Sequence, residues 1–215
     1  MNPHLGQPLE KAGADLAGAP VVAVVVHGRD LDPVYMLEHL VGLLDRPEVS
    51  YLLPTADGRS WYPGSFLAPL ADNEPRLSFA LYRLEALRVD LETAGVDPAT
   101  IVWVGFSQGA CLITEYVARS THKFGGLVSL TGGLIGPPDE GLTKPSAVNE
   151  LPSFFGASDV DPFVPLERVR TTARAFEAAG AVVSEAVYPG AIHEIVSDEV
   201  EQCGRILDLV SNRAR

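Results

Sequence analysis

Basic charge, cysteine and long apolar runs are what this 215-residue sequence has least of. Lys and Arg total 16 against 28 Asp and Glu, a formal net charge of −12. Binding to phosphate backbones needs clustered cations that displace counterions, so nucleic acid and anionic membrane surfaces are not expected as partners. Two cysteines, Cys111 and Cys203, are too few for a disulfide scaffold and show no metal-ligand spacing. Free thiols in a reducing, cytoplasmic compartment are the expectation. The five histidines are scattered with no H-x-x-x-H pair, so no metal or other cofactor is expected. The N-terminal stretch lacks a positive segment leading into an apolar one, and the run Val21 to Val26 falls far short of the ~20 residues that span a bilayer. Membrane insertion is not expected.

What remains is 47% hydrophobic and 20% charged, an ordinary balance for a globular protein with one sizeable core. Residues 1–215 are read as a single domain, without repeats or linkers. Pro8 to Ala17 reads as a short surface helix. Val21 to Val26, VVAVVV, is the mark of a strand covered on both faces. Asp32 and Pro33 open a helix whose buried stripe is Met36, Leu37, Leu40, Leu43 and Leu44. Ser50 to Leu53 is a strand, and Thr55 to Pro75 a loop rich in Pro, Gly and exposed-looking aromatics. Leu77 to Ala94 is a helix stopped by Gly95. Further strands are expected at Ile101–Val104, Leu127–Leu130, Pro152–Ala157 and Val182–Tyr188. Helices are expected at Ala110–Ala118, between Leu166 and Gly180, and at Ser197–Val210, with a second Gly/Pro-rich loop over Thr131–Leu151. Strands alternating with helices argue a mostly parallel sheet of six or seven strands with helices on both faces. Neither long loop carries a helical pattern, so no large cap is expected over the sheet.

The chemistry centres on Gly105-Phe106-Ser107-Gln108-Gly109, between the strand Ile101–Val104 and the helix that follows. A serine between glycines at a strand-to-helix junction is a nucleophile elbow, tight enough to lift the hydroxyl clear of the sheet. The same turn puts the Gln108 N–H at a helix N-terminus, where the oxyanion of an acyl-transfer intermediate would form. A nucleophilic serine needs a base and the base an orienting carboxylate, in chain order Ser, Asp or Glu, His for such folds. His193 lies past the strand Val182–Tyr188, and Asp159 and Asp161 lie past Pro152–Ala157. Asp161 is preferred because Pro162 favours an extended, rigid turn there, whereas Asp159 reads as bonding its own loop backbone. His4, His39 and His122 read as solvated surface, and His27 as shaping a turn. The second oxyanion donor is expected from the loop after the first long strand, at the backbone N–H of Arg29. Trp61, Tyr62, Phe66, Leu134, Ile135 and Phe163 are candidates for an apolar wall.

Five motifs in order, V-V-V-H-G, L-P-T-A with a following W-Y, G-F-S-Q-G, D-P-F-V-P and Y-P-G-x-x-H-E, resemble the phospholipase/carboxylesterase family of α/β hydrolases, which includes the acyl-protein thioesterases. The resemblance runs from about Val21 to Val210. It implies a capless α/β-hydrolase fold, Ser107, Asp161 and His193 as triad, the N–H groups of Arg29 and Gln108 as oxyanion hole, and Trp61 lining an acyl pocket. The chain departs from the family's thioesterase members at His27-Gly28-Arg29-Asp30, where they read H-G-x-G-D, and at S-W-Y-P-G in place of S-W-F-D. A serine esterase acting on small acyl or aryl esters is the leading expectation, with thioesters as a further substrate class. An acyltransferase, or a non-catalytic small-molecule binding protein on the same fold, are the alternatives. A homodimer is compatible with the sequence.

Overall fold

The computed structural model describes residues 1–138 and 141–213. Seven strands form one open sheet: β1 (Leu9–Gly13), β2 (Val22–Val26), β3 (Ser50–Pro54), β4 (Ile101–Phe106), β5 (Gly126–Leu130), β6 (Pro152–Ser158) and β7 (Val182–Tyr188). Their spatial order is β1-β3-β2-β4-β5-β6-β7. Every pairing is parallel except β1 with β3. The mostly parallel sheet is the one expected from the alternation of strands and helices, and its arrangement is the α/β-hydrolase fold that the family resemblance implies.

The VVAVVV run shows how one strand serves two cores, because successive side chains point to opposite faces. Val22, Val24 and Val26 face the cluster that includes Trp103, Leu84, Leu112 and Phe176. Val21, Ala23 and Val25 face Met36, Leu40, Phe154 and Leu207. The first face is covered by the helices Arg76–Thr93, Gln108–Arg119 and Leu166–Ala178. The second is covered by Ser197–Arg213 and by a helical run of three parts, Pro33–Met36, a π-helical turn Leu37–Val41, and Gly42–Leu44. Asp32 caps that run, its Oδ1 accepting from the N–H groups of Val34 and Tyr35 at 3.1 and 3.3 Å. The loop Thr55 to Pro75 contains a 3-10 turn, Asp57–Arg59, and a short helix, Leu70–Asn73. Asp139 and Glu140, within the loop Thr131–Leu151, lie outside the described residues.

Three expectations need correction. Leu43, expected in the buried stripe of the helix that Asp32 opens, is 62% exposed, because the π-helical turn before it shifts the helical period. Pro8 to Ala17 is not a surface helix: Leu9 to Gly13 pairs antiparallel with β3, Leu9 opposite Pro54 and Gly13 opposite Ser50. The helical spacing of Leu9 and Leu16 is a weak local preference, and it loses to the row of backbone donors and acceptors on the otherwise open edge of β3. His4 is not on the surface: it is 0% exposed. Its Nε2 donates to the Trp61 carbonyl at 3.1 Å and its Nδ1 accepts from the Asp57 N–H at 3.1 Å, which fixes a neutral ring. Nothing local in Met-Asn-Pro-His announces a plug beneath a loop some fifty residues away.

Burial, followed by the Arg76 charge, pushes His4 down from 6.5 to about 4. Below pH 6.5 the unfolded chain takes up a proton that the folded chain resists until about pH 4, so this histidine removes stability as pH falls through that window. Glu199 acts in the opposite sense. Burial raises its carboxyl from 4.5 to about 7, so its contribution is lost as pH rises through that range. His4→Gln, which keeps one donor and one acceptor, should lose less stability than wild type between pH 6.5 and 4.5. Urea unfolding across that range checks this; parallel pH profiles for the two proteins would contradict it.

Candidate active site

The elbow is built by steric exclusion. Ser107 has φ 55° and ψ −120°, between the end of β4 and the first residue of the elbow helix Gln108–Arg119. A non-glycine residue held at positive φ is strained and persists only where its surroundings over-determine it. Here the Ser107 N–H donates to the Leu130 carbonyl at 2.9 Å, and its own carbonyl accepts from the Cys111 N–H at 3.0 Å. A Cβ on Gly105 would sit 2.7 Å from the Ala110 nitrogen, and one on Gly109 only 2.2 Å from the Val26 carbonyl oxygen. The helix can begin this close to β2 and β4 because both positions lack a side chain.

Three strand ends deliver the polar groups. Ser107 Oγ lies 2.8 Å from His193 Nε2, and His193 Nδ1 lies 2.5 Å from Asp161 Oδ2. With Asp161 as acceptor the ring proton sits on Nδ1, leaving Nε2 free to take the serine proton. The imidazole is held between Phe106 and Phe163, each with ring centroids 5.0 Å away. The Asp161 side chain is 1% exposed and that of His193 17%.

Asp161 makes the Asx turn in its own loop, its Oδ1 accepting from the N–H groups of Phe163 and Val164, both at 2.8 Å. Asp159 was expected to bond its own loop and does not. Its Oδ1 accepts from the Gly190 N–H at 2.8 Å, in the loop that carries His193. Ser158 Oγ reinforces the link by donating to the Ala191 carbonyl at 2.7 Å. On the far side of His193, Glu199 Oε2 accepts from the Val196 N–H at 3.1 Å and caps the last helix.

The N–H groups of Arg29 and Gln108 donate to no protein acceptor among the described residues. Their side chains are engaged elsewhere. The Arg29 guanidinium donates to the carbonyls of Tyr62, Pro63 and Gly64 at 3.0, 2.7 and 2.5 Å. Gln108 Oε1 accepts from the Trp61 N–H at 2.9 Å, and Nε2 donates to the Tyr62 carbonyl at 2.8 Å. His27 is 1% exposed, with Nδ1 donating to the Gly28 carbonyl and Nε2 accepting from the Ala56 N–H at 3.0 Å. Burial lowers its pKa and keeps it neutral.

Ser107 and His193 open onto a cleft of about 430 Å³ whose walls include Arg29, Tyr62, Phe66 and Phe163. Trp61 and Leu134, expected in the wall, are absent from it. Both are 0% exposed and belong to the core, as is Ile135 at 1%. Trp61 lies beneath the cleft, its ring 5.1 Å from His27 and its Nε1–H on the His27 carbonyl at 2.9 Å. An indole among loop residues is drawn inward because it buries a large apolar area and still finds an acceptor. Cys111 and Val164 also line the cleft and were missed. Cys111 was legible, since it sits four residues after Ser107 on the same face of a helix. Among the described residues no cluster of His, Cys, Asp and Glu is placed to hold a metal ion, and no helix is long and apolar enough to cross a membrane.

With this geometry in hand, comparison with known proteins matches residues 48–211 to the phospholipase/carboxylesterase family. The chain belongs to that family. A solved phospholipase/carboxylesterase from Dyadobacter fermentans superposes with a TM-score of 0.84 at 34% identity, covering 94% of this chain and 97% of that one. Acyl-protein thioesterase 1 of Saccharomyces cerevisiae is 34% identical over 115 residues, 50% of this chain and 48% of the relative. The putative esterase NocK of Nocardia uniformis is 30% identical over 159 residues, 72% of this chain and 43% of the relative. The chain thus spans about half the length of the curated relatives it matches. The matched family segment contains Ser107, Asp161 and His193 but begins after His27 to Arg29.

The elbow's dependence on bare glycine is directly testable. Gly109→Ala should destabilise the fold by at least the ~1–3 kcal/mol typical of overpacking, because the obstacle is strand backbone and cannot rotate away. Gly18→Ala, where a Cβ meets nothing within 4 Å but φ is +91°, is the control for strain without collision. Equal losses of thermal midpoint in the two variants would show that collision at the elbow is not the constraint.

Proposed function

We propose that this phospholipase/carboxylesterase family member is a serine esterase that forms an acyl-enzyme on Ser107 and releases it with water. The observation that carries the reading is the continuous chain Ser107 Oγ, His193 Nε2, His193 Nδ1, Asp161 Oδ2, at 2.8 and 2.5 Å, ending in a carboxylate withdrawn from solvent. In this reading His193 takes the serine proton as Oγ attacks the ester carbonyl, and Asp161 stabilises the imidazolium that results. The developing oxyanion is received by the N–H groups of Arg29 and Gln108, both without protein acceptors among the described residues. His193 then returns its proton to the leaving alkoxide, and a water activated by the same ring releases the acid.

Small acyl or aryl esters are the proposed substrates. The cleft is of modest volume and has the aromatic walls of Phe66 and Phe163, which suit a compact apolar group. Thioesters share the same tetrahedral chemistry and are the second class to test. The thiols Cys111 and Cys203 are buried and pushed up to about 12, so neither competes as a nucleophile. Two free thiols suit a reducing compartment, and a cytoplasmic location is proposed on that ground.

A fluorophosphonate probe should label the protein once, and Ser107→Ala should abolish labelling and lower kcat on p-nitrophenyl esters by roughly 10⁴-fold or more. Asp161→Asn should also cost kcat orders of magnitude, since the amide oxygen would keep the Phe163 and Val164 N–H groups and turn its NH2 toward Nδ1, favouring the wrong histidine tautomer. Asp159→Asn keeps an oxygen for the Gly190 N–H and should cost less than about tenfold. Labelling that survives Ser107→Ala, or an Asp159 variant worse than the Asp161 variant, would overturn these roles. A panel of graded acyl chain length with matched thioesters locates the preferred substrate.

A further inference from the structure

The two proposed oxyanion donors come from different elements. Arg29 sits in the loop after β2, and Gln108 is the first residue of the elbow helix. No hydrogen bond joins their backbones directly among the described residues. Donors of this kind work only when fixed at hydrogen-bond distance from where charge develops, and errors of about half an ångström weaken them. Something must therefore set the spacing between the two N–H groups.

Both side chains converge on one atom. The Tyr62 carbonyl oxygen accepts from Arg29 Nη2 at 3.0 Å, Gln108 Nε2 at 2.8 Å and Ser60 Oγ at 2.9 Å. A carbonyl has two lone pairs, so three donors saturate it. The two side chains also take the neighbouring backbone groups: the Trp61 N–H by Gln108, and the Pro63 and Gly64 carbonyls by Arg29. This segment is itself anchored. Trp61 Nε1 donates to the His27 carbonyl at 2.9 Å, and the Gly64 N–H donates to the buried Asn73 Oδ1 at 2.8 Å. Arg29 makes no ion pair with any carboxylate among the described residues, so every bond of its guanidinium to the protein serves loop geometry.

Resting on the esterase reading above, we infer that the side chains of Arg29 and Gln108 are positioning residues that fix the oxyanion hole by gripping the Tyr62 carbonyl from both sides. The 61–64 segment acts as a splint between the loop after β2 and the elbow helix. Arginine suits this task because its planar fork spans three carbonyls at once, which a lysine ammonium on a flexible stem reaches less well. The side chains act through their own backbones and touch no reacting atom.

The test uses Arg29→Met, Arg29→Lys, Gln108→Ala and the Arg29→Met/Gln108→Ala double variant of the full chain. Substrates are a neutral p-nitrophenyl ester and an analogue bearing a free carboxylate; an alkyl boronic acid serves as the tetrahedral adduct on Ser107. Each single variant should lose roughly 10- to 100-fold in kcat, with KM changed less than about threefold and boronic acid affinity falling with kcat. Arg29→Lys should recover part of the loss. The double variant should lose less than the product of the singles, because both grips end on one oxygen. Melting curves establish that each variant is folded. Unchanged kcat, a loss carried by KM, or strictly multiplicative losses would overturn the clamp. A loss confined to the carboxylate-bearing ester would make Arg29 a substrate contact instead. Wild-type protein that turns over neither ester and binds no boronic acid would overturn the esterase reading and the clamp with it; active wild type with unaffected variants overturns the clamp alone.

Discussion

The approach of the elbow helix to the two central strands is the constraint from which the rest of the site follows. Gly109 lets the first turn of the helix pass against the Val26 and His27 carbonyls, and Gly105 lets the end of β4 pass beneath the same turn. With the helix seated that closely, the single residue between strand and helix has no choice but the left-handed region, and Ser107 occupies it at φ 55°. The strain at this one residue is offset by the packing of an entire helix, buried from Gln108 to Ala118 and including Leu112, Ile113 and Val117. Gly28 belongs to the same constraint, since a Cβ there would sit 3.2 Å from the Ser107 Cβ. The bare backbone of the loop after β2 can therefore approach the serine closely.

Everything else reaches the serine from strand ends on the same edge of the sheet. In an open parallel sheet the carboxyl ends of the strands share one side, and groups far apart in sequence meet there. Asp161 follows β6 and His193 follows β7, neighbouring strands paired from Pro152 to Ser158. Their loops are tied to each other by Asp159 and Ser158 before either reaches the serine. The carboxylate and imidazole are thus joined through their own loops, and Phe106 of the elbow packs on the imidazole from the other side.

This division explains what could be read from the sequence. Ser107 was legible because an elbow is a local object: its glycines, strand and helix are contiguous, and each residue type has a steric reason. Six of the seven strands and their mostly parallel sheet were legible, while their spatial order came only from the folded chain and β1, whose pairing depends on a partner strand some forty residues away, was not read. Asp161 and His193 were readable as candidates from chain order, while the distances that join them come only from the folded sheet. The failures share a cause. Trp61, Leu134 and His4 were placed by the local look of their segments, a Pro/Gly-rich stretch or a terminus, and all three are fully buried. In such segments no periodicity records which way a side chain points. The bonds that decide it, His4 to the Trp61 carbonyl or Trp61 to the His27 carbonyl, cross 57 and 34 residues of chain.

The scarcity of cations gives the remaining arginines a further significance. Irregular loops present carbonyl groups that no strand or helix satisfies, and at the walls of an apolar cleft water is a poor substitute. Arg29 serves the carbonyls of residues 62 to 64. Arg168, on the helix Leu166–Ala178, serves those of Leu134 and Gly136 at 2.8 and 2.7 Å, with its guanidinium 5.9 Å from the centre of the Phe66 ring. The two loops then meet, the Gly136 N–H donating to the Phe66 carbonyl at 2.8 Å. Glu115, 0% exposed, completes the second loop by accepting from the Ile135 N–H while paired with Arg119. Neither Arg29 nor Arg168 pairs with a carboxylate among the described residues, although the chain has a large excess of acids. Their N–H groups are spent on backbone instead, because a planar cation can satisfy several fixed carbonyls where a carboxylate would add only more acceptors. The irregular walls of the cleft are therefore gripped from two directions, by Arg29 in the loop after β2 and by Arg168 on the helix Leu166–Ala178.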